Sequence, residues 1–176
     1  ADRIIRMGED PAYVFNVGCP ATDLLLRVPL GKSLAREPYL LIAYNPVTTL
    51  SPEENGRDME TLLAACLEAS QARQMRLLIV GPNPDPGSEE VTEAARRIAL
   101  RPGIVFFATL LHEDFVRFMA HASVMVGNSS AGIRESSYFG CPVVDVGIRQ
   151  QGRACTANVL TVPEVSQNTV QQAITS

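Results

Sequence analysis

What most limits the folds open to this chain is a recurring unit: a short, blunt apolar run, a turn, then a stretch with helical spacing. Tyr39–Tyr44 (YLLIAY) is such a run, bounded by Pro38 and Pro46. Arg76–Gly81, Ile104–Ala108, Ser123–Val126, Val143–Val146 and Asn158–Val162 repeat the theme, and Tyr13–Val17 reads as an earlier member. Uninterrupted apolar runs of this length suit strands covered on both faces, as in a parallel sheet. Between them lie helix signals. Ser51 caps, Pro52 suits a first turn and Glu54 closes a capping box; Met59, Leu62, Leu63, Cys66 and Leu67 then make one apolar stripe through about Arg73. Ser88 opens a helix to about Leu100, Glu113–Ala122 forms one with Phe115, Phe118 and Met119 inward, Ile133–Phe139 is short, and Ser166–Ser176 begins another. Thr22 or Asp23 reads as the cap of a short helix through Leu24–Leu26, and Val28–Pro38 as a loop. The alternation predicts an α/β fold with a doubly wound, Rossmann-like parallel sheet, in a single domain over residues 1–176.

Composition narrows the function classes. Hydrophobic residues make up 46% of the chain and the net charge is −4, a globular balance without the basic stripe that nucleic acid requires. No apolar stretch reaches bilayer-spanning length and no signal-peptide pattern opens the chain, so a cytoplasmic protein without a membrane partner is expected. Cys19, Cys66, Cys141 and Cys155 are widely spaced, which fits reduced thiols. With two histidines, a protein-built zinc site is not expected, nor is any other metal or cofactor. Residue 1 is Ala and leads directly into ADRIIRMGEDP, as an excised fragment would.

In open parallel sheets ligands bind beyond the carboxyl ends of the strands. Three informative loops leave such ends: Asn45–Thr49, Pro82–Ser88 and Gly127–Gly132, with Thr109–Leu111 beside them. In the last of the three, Ser129 and Ser130 present hydroxyls at a helix start, where free N–H groups make a natural phosphate seat. An ordinary Ser-capped connection is the alternative. Glu135, about one turn further, is placed to accept hydrogen bonds from a sugar hydroxyl beside that phosphate. Arg149 follows the run Val143–Val146 and can reach the same rim, where a guanidinium would grip a diphosphate; otherwise it is a surface-loop arginine. Arg153 braces the same loop. Asn83, in a proline-rich loop, reads by itself as a turn-former. Of the remaining polar residues, His112 reads as a helix-start residue, His121 as packed, Arg134 as outward-facing and Asp145 as a structural group inside a strand, while Asp85 is a further carboxylate near the rim.

The stretch GNSSAGIRE followed by FGCPVVDVGIRQQGR resembles the signature of the UDP-N-acetylglucosamine 2-epimerases, especially the hydrolysing branch that makes N-acetylmannosamine for sialic-acid pathways. RMGEDPAYVFNVGCPATD, NPVTT at 45–49, GPNPDPGS at 81–88 and FVRFMAHASVMVGNSS agree in order. The resemblance covers essentially the whole chain but only the C-terminal half of such an enzyme. It implies the C-terminal domain of a glycosyltransferase-B fold of the UDPG epimerase/glycogen phosphorylase type, with UDP-sugar bound in the cleft between two Rossmann-like domains. It further implies that Ser129, Ser130 and Arg149 hold the diphosphate, that Glu135 holds the ribose and that Asn83 lies in a nucleotide-contacting loop. Asn45 occupies a catalytic position that is usually His in the family. Asn can exchange hydrogen bonds but cannot shuttle a proton near pH 7. The expected partners are the UDP-sugar and the N-terminal domain, with homo-oligomer formation by the full-length enzyme left open. A glycosyltransferase of the same architecture, a non-hydrolysing 2-epimerase and a non-catalytic nucleotide-sugar-binding module are the alternatives.

Overall fold

The computed structural model describes residues 1–176, with side chains for 1–20 and 22–176. Its centre is a sheet of strands β1 (Tyr39–Ala43), β2 (Arg76–Val80), β3 (Ile104–Phe107), β4 (Val124–Gly127), β5 (Val143–Val146) and β6 (Val159–Val162). All neighbours are parallel, in the order β3-β2-β1-β4-β5-β6. That is the doubly wound order: the chain builds outward from β1 in one direction, then returns to add β4, β5 and β6 on its other side.

Successive strand residues point to opposite faces, and both faces are covered. On one face Leu40, Ile42, Leu77, Ile79, Val144 and Val146 meet α3 (Pro52–Ala72), α4 (Ser88–Ile98) and α7 (Gln167–Thr175) through Met59, Leu62, Cys66, Val91, Ala95 and Val170. On the other, Tyr39, Leu41, Leu78, Met125 and Val143 meet α5 (His112–His121) and α6 (Ser130–Arg134) through Phe118, Met119 and Ala131. This two-sided cover is why the strands read as blunt runs. The helix start at Ser51 carries the full capping box: Ser51 Oγ accepts from Glu54 N at 3.2 Å and Ser51 N donates to Glu54 Oε2 at 2.7 Å. These bonds hold the Glu54 carboxyl below its usual range.

Four local readings need correcting. Tyr13–Val17 is not a strand: Pro11–Tyr13 is a 3-10 turn, residues 14–19 are irregular, and Tyr13, Phe15 and Val17 are exposed. The sheet ends at β3 and β6, and this run pairs with neither edge. Helix α2 (Pro20–Leu25) has Cys19 at its cap, not Thr22 or Asp23, because Pro20 fills the first helical position. The predicted helix Ile133–Phe139 is two pieces, α6 and a 3-10 turn at Ser136–Phe139. Ser129 Oγ accepts from Ala131 N at 3.3 Å and starts α6 three residues early, while Ser136 Oγ donates back to Gly132 O at 2.6 Å and the chain tightens. His121, expected to be packed, is exposed at the last residue of α5, beyond the turn that buries Phe118 and Met119.

Among the described residues no helix is long and apolar enough to cross a membrane. Cys66 and Cys141 are buried and Cys155 is exposed, and these three are free thiols. Burial pushes the Cys141 thiol up to about 11, so it stays protonated.

Candidate nucleotide-binding site

The topological switch lies between β1 and β4, paired to their ends as Ala43 with Gly127. Gly127 has φ of 139°, and a Cβ there would sit 2.2 Å from Ala43 O. Only glycine lets β4 approach this closely, and Asn128 N can then donate to Ala43 O at 3.2 Å. The loops leaving β1 and β4 therefore emerge side by side.

Asn128 joins them. Its Oδ1 accepts from Asn45 N at 2.7 Å and its Nδ2 donates to Asn45 O at 2.8 Å, so one side-chain amide satisfies both main-chain groups of Asn45. In turn, Asn45 Oδ1 accepts from Asn83 N at 2.9 Å, bringing in the loop after β2. On the far side the Asn128 carbonyl accepts from Arg149 Nη1 at 3.1 Å and from Gln150 Nε2 at 2.7 Å, bringing in the loop after β5. A belt of hydrogen bonds thus runs β2–β1–β4–β5 along the carboxyl rim. The segment after β1 is further anchored by buried Asn55, which accepts from Val47 N at 2.7 Å and donates to Val47 O and Ser51 O.

Above this belt is a cleft of about 240 Å³ lined by Asn45, Asn83, Ser129, Ser130 and Arg149, with Tyr44, Gly81 and Phe115. An adjoining hollow of about 420 Å³ shares Gly81, Asn83 and Phe115 and extends to Thr109, Leu110 and His112. Arg149 also borders a third hollow with Thr48, Thr49 and Asp85. Of the residues singled out from sequence, Asn45, Asn83, Ser129, Ser130 and Arg149 come together. Glu135 does not line the cleft; it sits part-exposed at the break between α6 and the following 3-10 turn. A separate groove of about 430 Å³ between α3 and α4 is lined by Leu63, Leu67, Ala94 and Ile98 and shares no residue with the cleft.

Hydrogen bonding and burial set the electrostatics. Tyr44 donates its hydroxyl to Asp58 Oδ2 at 3.3 Å. Burial first, and then the Asp58 carboxylate, push the Tyr44 phenol well above its usual value, and burial raises the Asp58 carboxyl. Asp145, opposite Gly127 in the sheet, is raised by burial to about 6. The cleft thus offers amide, hydroxyl and guanidinium donors without a carboxylate in its lining, a set suited to anionic oxygens. Among the described residues no cluster of three or more metal-binding side chains occurs. Asn128 and Gln150 were missed in the sequence; a polar residue placed directly after a strand-ending glycine was the available signal for Asn128.

The family model for UDP-N-acetylglucosamine 2-epimerases matches residues 1–176. The chain belongs to that family. Among its relatives is a UDP-N-acetylglucosamine 2-epimerase of Neisseria meningitidis, 28% identical, with 97% of this chain and 47% of that protein covered. Another is the UDP-N,N'-diacetylbacillosamine 2-epimerase (hydrolyzing) of Legionella pneumophila, also 28% identical, covering 91% of this chain and 44% of the relative. The chain therefore spans about half the length of the curated relatives it matches. In structure it resembles the Methanocaldococcus jannaschii UDP-GlcNAc 2-epimerase in complex with UDP-GlcNAc and UDP, with a TM-score of 0.74 at 11% identity, covering 99% of this chain and 50% of that one. The fold of this family member is accordingly a Rossmann-like domain of the glycosyltransferase-B kind.

Proposed function

We propose that this chain is the UDP-holding half of a hydrolysing UDP-N-acetylglucosamine 2-epimerase. Ser129, Ser130, the N–H groups of the first turn of α6 and Arg149 take the diphosphate. Asn83 and the adjoining hollow contact the nucleoside, and Glu135 takes the ribose hydroxyls from the edge of the site. The full-length enzyme, with an N-terminal domain completing the cleft, would convert UDP-GlcNAc to N-acetylmannosamine and UDP in the cytoplasm. The C2 proton passes to a base, the C1–O bond breaks with its electrons leaving on UDP, and water then adds across the resulting 2-acetamidoglucal. Donors aimed at the leaving diphosphate stabilise the charge that grows there.

The observation that carries this reading is the meeting of Ser129, Ser130, Asn45 and Arg149 in one cleft at the switch point of a chain that belongs to this family. The hydrolysing outcome draws support from the relative whose name carries that word. A second reading, a nucleotide-sugar-binding module without turnover, is favoured by one feature: the cleft holds Asn45 and no group that exchanges a proton near neutral pH.

Isothermal titration of UDP into the wild type, Ser129→Ala and Arg149→Ala tests the site. Losing a charge-assisted pair to phosphate should weaken binding by about tenfold for Arg149→Ala and less for Ser129→Ala. Equal affinities in all three proteins would refute the assignment. Release of free N-acetylmannosamine, rather than UDP-N-acetylmannosamine, by the chain joined to its N-terminal half would separate the hydrolysing from the non-hydrolysing outcome.

A further inference from the structure

We propose that the run Tyr13–Val17 is a strand of a second sheet, docking by main-chain pairing onto a sheet edge in the N-terminal half of the enzyme, an assignment that rests on the two-domain part of the proposed function and not on where UDP sits. None of residues 1–20 is buried. Within the first 17 residues Ile4, Met7, Tyr13, Phe15 and Val17 are all exposed, while beyond residue 34 no stretch of that length exposes more than two large apolar side chains. Single exposed apolar residues are ordinary on a protein surface, but a concentration of them marks a face that a partner covers.

The pattern within this face is that of a strand. Tyr13, Phe15 and Val17 alternate along the run at 80%, 74% and 83% exposure, so in an extended chain they share one side. Val14 (φ −105°, ψ 105°) and Cys19 (φ −114°, ψ 112°) are already extended. Asp10 Oδ1 accepts from Ala12 N at 2.9 Å in the turn before the run, and Gly18, with φ of 81°, and Pro20 close it. From Phe15 to Gly18 no main-chain group donates or accepts a hydrogen bond among the described residues. Water satisfies these groups while the run stays open. Once a partner covers the apolar side, that water is lost and the N–H and C=O groups need partners of their own. A covering helix has spent its main-chain groups on itself. A sheet edge presents free N–H and C=O groups at the spacing an extended run requires.

The surroundings of the run point to the occupant. This chain's own sheet ends at β3 and β6, and the run joins neither. The packed body begins later: Leu25 is the first buried residue among those described. Arg117 on α5 then donates to Leu30 O at 3.2 Å and to Lys32 O at 3.4 Å, clamping the segment that follows. The chain covers 47% and 44% of the two curated relatives, so a comparable length of chain in each has no counterpart here. That half carries the receiving edge. Residues 13–17 fold with it, and the boundary between the two domains falls between Gly18 and Leu25.

Amide hydrogen exchange on the 176-residue chain and on the full-length protein tests this, with thermal midpoints of wild type and Phe15→Asp in both. In the chain alone the amides of Phe15, Asn16 and Val17 should exchange as fast as in an unstructured peptide. In the full-length protein alternate amides, those of Phe15 and Val17 or that of Asn16, should slow by at least about hundredfold. Phe15→Asp should leave the midpoint of the chain alone within about 2 °C of wild type, because the side chain is exposed and the residue unbonded. In the full-length protein it should lower the midpoint by about 3–12 °C, the effect of losing one covered aromatic side chain. Failure of that variant to fold at full length, beside an unchanged chain alone, is the same result in stronger form. Amides 15–17 that exchange equally fast in both proteins, or a chain alone that loses as many degrees as the full-length protein, overturn the assignment. Protection of these amides in a self-associated chain alone, with none gained at full length, gives the strand to a second copy and overturns it too. UDP titration separates the two readings: absence of binding by the wild-type chain defeats the UDP site and leaves the exchange result to decide the strand.

Discussion

Replacing Asn128 by Ala removes the two hydrogen bonds that hold Asn45 and the side of the belt that fixes the β1 loop. Asn128 is 1% exposed, and both groups it serves, Asn45 N and Asn45 O, are buried. Each main-chain group left without a partner costs about 1–3 kcal/mol, so the variant should lose about 2–6 kcal/mol of stability. Against a typical total of about 5–15 kcal/mol that is a large fraction, and at about 2–4 °C per kcal/mol the thermal midpoint should drop by roughly 4–24 °C. UDP affinity of the folded fraction should fall about tenfold, because the Asn45 amide is no longer held in place. Asn128→Asp gives a sharper signature. Its carboxyl keeps an acceptor for Asn45 N but, when ionised, sets a negative oxygen against Asn45 O. The protonated form restores the donor, so the folded state raises this carboxyl above its ordinary value of about 3.9. Its stability relative to wild type should therefore be greatest at low pH and be lost as the pH rises through the raised value. Scanning calorimetry from pH 4 to 8 combined with UDP titration reads both effects. An Asn128→Ala protein with a midpoint within about 1 °C of wild type and unchanged UDP affinity would refute the belt as a structural device.

Asp145 gives a second pH-dependent outcome. Its carboxyl is raised by burial to about 6, so folding favours the protonated form; stability is full below about 4 and is lost as the pH rises through about 6. Asn at this position should abolish that loss and stabilise the protein at pH 7 by about 1–3 kcal/mol, read by denaturant unfolding at pH 4.5 and 7; an unchanged pH dependence would contradict it. Gly127→Ala should cost more than about 3 kcal/mol or leave no folded protein, since its Cβ would lie 2.2 Å from Ala43 O at a φ of 139°. A normal melting curve for that variant would show that β4 does not need the close approach.

The sheet was readable because its inner strands are covered on both faces, which leaves uninterrupted apolar runs in the sequence; β6, at the edge, has Leu160 and Thr161 exposed. Tyr13–Val17 shows the limit of that signal. It has the same composition but lies outside a sheet bounded by β3 and β6, and pairing is a non-local property. The cleft residues Ser129, Ser130 and Arg149 could be nominated because loops after strands in a doubly wound sheet share one edge. The belt could not be nominated. Asn128 and Gln150 look like ordinary loop polars, and only the register of Ala43 beside Gly127 brings Asn128 against Asn45. The helix break at Glu135 was likewise hidden, because it depends on the Ser136 hydroxyl bonding back to Gly132 O.

The belt also bears on how this rim can be altered. Asn83, Asn45, Asn128, Arg149 and Gln150 come from four separate loops, yet each holds a group that another requires. Transplanting the β4 loop of a relative on its own would strand the partners on both sides. The loops form one interlocked unit, and a change of ligand preference engineered here would have to exchange them together.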